Sequence, residues 1–237
     1  MEWDLFRTWA ERFGVFLSDV QLSQFVRYEA LLLDWNERMN LTAIREPEQI
    51  RVRHFLDGLS CVLVTGVLNG RSLVDVGTGA GFPGVPLKIV FPGMRLTLVE
   101  SVAKKARFLE AVVADLGLND VCVVSERAEV LGQDTTYREM FDWAVARGVA
   151  EMRVLAELLL PLCRVGGNML AQKGRGVQEE TAVAQRAIQV LGGDAPHLQA
   201  VNLPGVTDTH WLVTVHKVRP TPAKYPRRPG MPAKRPL

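Results

Sequence analysis

The chain is 237 residues long, with 48% apolar residues, 23% charged residues and a formal net charge of +2. That balance excludes wholesale disorder and a fibrous protein, and the length suffices for one large domain without a disulfide or metal staple. The three cysteines, Cys61, Cys122 and Cys163, lie far apart, with no CxxC and no Cys/His cluster, which argues against structural zinc and suits a reducing compartment. Met1-Glu2-Trp3-Asp4 is acidic where a signal peptide is basic and then apolar, and no apolar run approaches the roughly 18 residues of a membrane span. A soluble, cytoplasmic, monomeric protein with no metal and no membrane partner is expected.

Trp3, Phe6, Trp9, Phe13 and Phe16 recur at three- and four-residue steps, and Phe25, Tyr28, Leu32 and Trp35 repeat the pattern. Residues 1–40 are therefore predicted to be helical. Gly14 and Ser18-Asp19 supply the stop and the next N-cap. Another helical stretch is predicted from about Pro47 to Thr65. These helices have little core of their own, so residues 1–68 are expected to pack on the main domain as an extension.

From Ser72 the texture changes. Short β-type runs, Leu73–Val76, Arg95–Val99, Val121–Val124, Trp143–Ala146 and Met169–Gln172, alternate with helical segments near 84–91, 102–116, 149–163 and 176–191. The alternation predicts an α/β fold of βαβ units, with a parallel sheet covered by helices on both faces. Two late runs, about 197–203 and 210–218, have no helix-length segment between them and are predicted to pair antiparallel at one edge. The core is thus placed at 69–218.

Residues 217–237 carry Lys217, Arg219, Lys224, Arg227, Arg228, Lys234 and Arg235 with no Asp or Glu, so the rest of the chain is net acidic. Six of the 13 prolines also fall there. Over 219–237 this composition predicts an extended basic arm, neither helix nor central strand. A solvated solubility tail and a polyanion-binding arm that follows phosphates stand about even.

The strongest local signal is Asp75-Val76-Gly77-Thr78-Gly79-Ala80-Gly81-Phe82-Pro83-Gly84, between a predicted strand and a predicted helix. Its glycines allow a tight turn and close approach to a ligand. The spacing is GxGxG, and Phe82 stands where a dinucleotide loop has its third glycine, which argues against NAD. S-adenosylmethionine has no phosphate and carries a positive sulfonium, so it needs no such cradle, and acidic Asp75 suits a cationic ligand. Glu100, 19 residues after Gly81 at the end of the second strand, can accept bonds from both ribose hydroxyls; capping the next helix with Ser101 is the alternative. Arg127-Ala128-Glu129 follows the third strand, either at an adenine edge or as an exposed helix start. Arg147 ends the fourth strand and Lys173 the fifth, on the rim where ligands of open α/β sheets collect.

With these pieces placed, the chain resembles the RsmG (GidB) family of small-subunit rRNA guanine-N7 methyltransferases from about Leu31 to Leu237. The resemblance rests on Asn36-Glu37-Arg38-Met39-Asn40-Leu41-Thr42, on His54-Phe55-Leu56-Asp57-Gly58-Leu59, on Asp75–Pro86, and on Glu100 with Lys104-Lys105 and Phe108-Leu109. Arg127-Ala128-Glu129, Phe141-Asp142, Ala146-Arg147, Lys173-Gly174 and Tyr225-Pro226-Arg227-Arg228-Pro229-Gly230 continue it. Two departures are mild: Ala146-Arg147-Gly148 replaces the frequent Ser-Arg-Ala, and Gly58 stands where Ser is common. The resemblance implies a Rossmann-like class I methyltransferase with a mainly parallel seven-stranded sheet. It implies methyl transfer from S-adenosylmethionine to N7 of guanine 527 in 16S rRNA, on the RNA or the small ribosomal subunit. The implied donor pocket takes in Gly77, Gly79, Phe82, Glu100, Ala128, Glu129 and Arg147, with Asp75 and Gly81 of the same loop.

Guanine N7 has a free lone pair, so its methylation needs alignment and no obligatory general base. Candidate catalytic residues are Arg147, placing the base through O6, Lys173, steering phosphates, and Asn36 and His54, lining the substrate side. A satisfied, half-buried His54 is an equal alternative. Arg45, Arg51 and Arg53 are expected to extend an RNA surface. A small-molecule methyltransferase, a non-catalytic RNA-binding or ribosome-assembly module and a nicotinamide oxidoreductase are the competing functions.

Overall fold

The computed structural model describes residues 1–237. In chain order its elements are α1 (Trp3–Glu11), α2 (Asp19–Met39), α3 (Pro47–Ile50), a π-helical stretch (Arg51–Leu56), α4 (Asp57–Leu59) and α5 (Val62–Thr65). There follow β1 (Ser72–Val76), α6 (Gly84–Val90), β2 (Arg95–Val99), α7 (Ala103–Asp115), β3 (Val121–Val124), α8 (Ala128–Leu131) and β4 (Phe141–Arg147). The chain ends with α9 (Met152–Leu159), β5 (Cys163–Lys173), α10 (Val177–Val190), β6 (His197–Val201), β7 (His210–His216) and α11 (Met231–Lys234). No helix is long and apolar enough to cross a membrane.

The sheet has seven strands in the order β3-β2-β1-β4-β5-β7-β6. β1 to β5 run parallel, and β7 pairs antiparallel with both β5 and β6, leaving β6 at the edge. Alternate side chains along each strand enter opposite layers. Leu73, Trp143, Val145, Leu170 and Leu212 join a core with the N-terminal helices and α6 and α7. Val74, Val76, Ala144, Ala146, Met169 and Ala171 join a second core with α9 and α10. The chain order reverses between β1 and β4, so the crevice for a ligand opens beyond the carboxyl ends of those strands.

The helical extension is tied to that crevice. Ser18 and Gln21 form a capping box that starts α2. Phe25, Tyr28, Leu32 and Asn36 then form its buried stripe at helical spacing. Tyr28 stacks between Phe55 and Phe82, with centroids 5.2 and 5.5 Å away, and its hydroxyl donates to the Ala80 carbonyl of the glycine loop. Burial raises the Tyr28 pKa, which keeps the hydroxyl a donor. Tyr28→Phe should destabilise the fold by about 1–3 kcal/mol, because the Ala80 carbonyl is left buried without a donor. Urea unfolding at neutral pH checks this, and an unchanged midpoint would remove the bond from the account.

The tail is not a free arm. Lys217 is fully buried, and its ammonium donates to Glu139, to the carbonyls of Leu160 and Cys163 and to the Thr221 hydroxyl. The Arg138 guanidinium donates to the carbonyls of Gly132, Thr221 and Tyr225. Arg227 forms a two-pronged pair with the fully buried Glu157 at 2.6–2.8 Å. The expectation of no helix fails at α11, a single turn that tolerates Pro232 because the missing N–H falls where no intrahelical partner exists. Composition left the segment either solvated or on phosphates because it does not show that Glu139, Glu157 and Arg138 of the core were waiting for it.

Two smaller differences concern β5 and α9. β5 begins at Cys163, ahead of the run expected from Met169, and bends through Gly166, whose φ is 81°. α9 covers Met152–Leu159 only, because Gly148 adopts a φ of 65° and residues 148–151 form a rim segment.

Candidate active site

Asp75, at the end of β1, is fully buried beneath the glycine loop and outside the cavity it was expected to charge. Its Oδ2 accepts from the Thr78 hydroxyl at 2.7 Å and from the Gly84 N–H at 2.8 Å. Burial, against those two bonds, pushes its pKa up to about 6. Gly77 and Gly81 have φ values of 65° and 99°. A Cβ on Gly77 would lie 2.7 Å from Val149, and one on Gly81 would lie 2.5 Å from the Tyr28 hydroxyl. These two positions require glycine on both counts. The start of α6 is closed to a phosphate: Gly84 N–H is used by Asp75, Val85 N–H by the Gly81 carbonyl, and Pro86 has none. The pyrophosphate cradle of a dinucleotide site is therefore missing.

Above the loop lies a cavity of about 210 Å³ lined by Gly77, Thr78, Gly79, Ala80, Phe82 and Lys105, with Leu41, Thr42, His54, Arg147 and Gly148 closing it. Glu100 is 5% exposed; one carboxylate oxygen accepts from Gly79 N–H at 3.0 Å and the other from Val102 N–H at 2.8 Å. Each oxygen keeps a second acceptor site beside the loop. The register that pairs Asp75 with Val145 carries Arg147 to the level of Gly77. One Arg147 terminal nitrogen, Nη1, donates to the Arg53 carbonyl and to Asp57 Oδ2, at 2.9 and 3.0 Å. The other, Nη2, donates to His54 Nδ1 at 3.1 Å, and the guanidinium lies over the Phe82 ring.

That donation fixes the histidine. Arginine cannot accept, so Nδ1 of His54 accepts from Arg147, in preference to its longer 3.2 Å approach to the Arg53 carbonyl, and Nε2 carries the proton, which it donates to the Thr42 hydroxyl at 2.8 Å. The Asn36 side-chain oxygen in turn accepts from the Thr42 N–H at 2.9 Å. His54 also stacks on Phe82 at 4.6 Å. Asn36 and His54 are therefore brought to Arg147 as its support, with His54 used at both ring nitrogens.

Beyond Arg147 a second cavity of about 460 Å³ shares His54, Arg147 and Gly148 with the first and continues to Asp57, Gln172, Lys173 and His210. Lys173 reaches it but is not a free cation: its ammonium pairs with Glu180 at 2.6 Å and donates to the Ala150 carbonyl. Ala128 and Glu129 start α8 beyond β3, both nearly buried, and Glu129 already accepts from the Gly230 N–H of the tail at 2.8 Å. Arg45 and Arg53 are exposed near the cavities. Arg51 is turned inward onto Glu29 and the Trp3 ring, which removes it from any RNA surface.

Residues 21–207 match the family model described as rRNA small subunit methyltransferase G. The chain belongs to that family. A Ribosomal RNA small subunit methyltransferase G from Roseiflexus castenholzii is 51% identical over 228 residues, covering 96% of this chain and 97% of the relative. One of the same name from Alkaliphilus metalliredigens is 47% identical over 227 residues, covering 96% and 95%. Among solved structures, a SAM-dependent O-methyltransferase from Thermotoga maritima superposes with a TM-score of 0.56 at 15% identity, over 81% of this chain and 72% of that one, which shows a shared fold.

Three residues of this arrangement, Thr42, Asp57 and His210, have no role assigned from the sequence alone. Asp57 and Thr42 lie inside the family motifs, but only the π-helical stretch and the β7 register bring Asp57 against Arg147 and His210. Burial and then the Arg147 charge lower the His54 pKa from 6.5 to about 3. An unfolded chain takes up this proton near pH 6.5, whereas the folded one resists it down to about pH 3. Stability from this group is therefore complete above pH 6.5 and declines as pH falls from there toward 3. Thermal unfolding against pH should show a shallower acid limb for His54→Gln than for the wild type; parallel limbs would contradict a buried neutral His54.

Proposed function

We propose that this chain transfers a methyl group from S-adenosylmethionine to N7 of a guanine, nucleotide 527, in 16S rRNA of the small ribosomal subunit. Glu100, with an open acceptor site on each oxygen, suits the ribose, and Ala128 and Glu129 suit the adenine edge. Gly77, Gly79, Phe82 and Arg147 line the cavity for the rest of the donor, while Asp75 and Gly81 hold the loop that shapes it. When bound, the donor supplies a methyl group on a positive sulfur, which leaves as a neutral thioether while the guanine ring takes the charge.

The observation that carries the reading is the Arg147 clamp at the junction of the two cavities. No side chain at that junction is free to take a proton: His54 is used at both nitrogens, and Asp57 by Arg147 and His210. A junction at which no group can take a proton suits a nucleophile that has no proton to lose, and N7 is one. Arg147 is donor-only, so one of its unused N–H groups can hold O6, an acceptor. Arg45 and Arg53, with the five tail cations that remain exposed, offer phosphate contacts for an RNA whose target base is unpaired.

Incubation with methyl-tritiated donor tests the substrate class. Acid-precipitable label on unmethylated small subunits, or on their naked RNA, is expected from a chain acting as a cytoplasmic monomer. Label confined to small molecules would replace this reading with the small-molecule methyltransferase, and donor binding without transfer would favour the non-catalytic module.

A further inference from the structure

The second cavity has a donor and acceptor pattern that its present contacts do not use up. Nine of its ten lining residues are other than large apolar side chains, Ile44 being the exception, and it meets the donor cavity at His54, Arg147 and Gly148. Arg147 uses three of its five N–H groups on Arg53, Asp57 and His54, leaving Nε–H and one Nη2–H. Across the cavity stand two acceptors. Asp57 pairs with Arg147 and is therefore ionised and acceptor-only, so His210 Nδ1 donates to it at 2.8 Å. In the neutral imidazole this leaves the lone pair on His210 Nε2, which has no partner. Gln172 is 6% exposed, and its Nε2 donates to the Asp57 carbonyl at 2.7 Å, which fixes the amide orientation. Its Oε1 is left buried with no partner.

A buried acceptor left without a partner, as Gln172 Oε1 is, is costly unless a ligand supplies a donor. The β5–β7 register pairs Gln172 with Leu212 and Lys173 with Trp211, which brings Gln172 and His210 to the same end of neighbouring strands. Guanine carries an acceptor, O6, next to N7, and two donors, N1–H and the N2 amino group, on its Watson–Crick edge. Adenine has an amino group in place of O6 and an acceptor at N1. The cavity therefore complements guanine, with free Arg147 N–H groups for O6 and two acceptors for N1–H and the N2 amino group.

We infer that this cavity receives the target guanine and that His210 Nε2 and Gln172 Oε1 read the donors of its Watson–Crick edge. The inference rests on the proposed guanine-N7 reaction and assigns the residues that select the base. Its test is a cycle between side chains and one base substituent, run with the full-length protein. Small-subunit RNA carrying guanine or inosine at the target is made by splinted ligation; inosine keeps N7, O6 and N1–H and lacks only the N2 amino group. Wild type should methylate guanine about tenfold or more faster than inosine. Only the side chain that reads N2 couples to this change, so one of His210→Ala and Gln172→Met should narrow that gap, the other should slow both RNAs alike, and the double variant should close the gap to within about twofold. Thermal unfolding shows that each variant folds, and a folded single variant that changes neither the gap nor the rates removes its side chain from the assignment. An undiminished gap in both single variants and in the double variant, or no gap in the wild type, would overturn the assignment. Wild type that labels neither RNA would instead overturn the guanine-N7 reading itself.

Discussion

Arg227→Ala should cost about 3–5 kcal/mol of folding stability, a large share of the total for one domain. The substitution leaves the Glu157 carboxylate, which is fully buried, without the two-pronged partner that neutralises it. Removing one side of a buried pair exposes the full desolvation cost of the other. Deleting residues 219–237 should do more, since Lys217 loses the Thr221 hydroxyl, Arg138 loses two carbonyls and the second core loses Tyr225. Urea unfolding of the point variant and thermal unfolding of the truncated chain check both. Unchanged stability in either would restore a dispensable arm. Truncation therefore cannot isolate an RNA role, because it attacks the fold first. Exposed tail cations can: replacing Arg228, Lys234 and Arg235 with glutamine should leave unfolding unchanged and reduce the salt dependence of RNA binding.

Arg147→Lys should lower methyl transfer by about 10²–10³-fold in kcat while leaving the protein folded. Lysine retains a positive charge for Asp57, so the carboxylate is not stranded. It cannot reproduce a planar fork that serves Arg53, Asp57 and His54 at once and still keeps two N–H groups over the cavity. Single-turnover transfer with saturating donor, with thermal unfolding alongside, separates the two effects. Wild-type rates with lysine would mean that charge alone matters there. Arg147→Ala is the harsher variant, adding instability because Asp57, whose side chain is 5% exposed, loses the guanidinium and keeps only His210 as a partner.

How much of this was legible in the sequence depended on whether the signal was local. The strands and the long helices followed from periodicity, because each element buries one face against the sheet and a face repeats at a fixed step. The glycine loop was legible because φ near +60° to +100° at Gly77, Gly79 and Gly81 leaves few other residues possible. Arg147 was legible as the last residue of a strand. Asp75 was misplaced because its role, holding Thr78 and Gly84, points under the loop, and sequence does not show on which side of a turn a carboxylate lies. Lys173 was read as a free cation because Glu180 is one helical turn into α10 and looks like an ordinary surface acid. His210 lies 153 residues from Asp57, and nothing short of the β5–β7 pairing could join them. The tail was misread for the same reason: its partners are acids and carbonyls scattered over the core.

The central claim is a methyl group placed on N7 of one guanine, and the most direct measurement is where the label goes. Unmethylated small subunits and their naked 16S RNA are incubated with the protein and methyl-tritiated S-adenosylmethionine, and the RNA is then treated with borohydride and aniline, which cleave the chain at 7-methylguanosine. A single cut at nucleotide 527, formed about 10²–10³-fold more slowly with Arg147→Lys, is the predicted result. Label that survives the cleavage uncut, or cuts at other guanines, would contradict it.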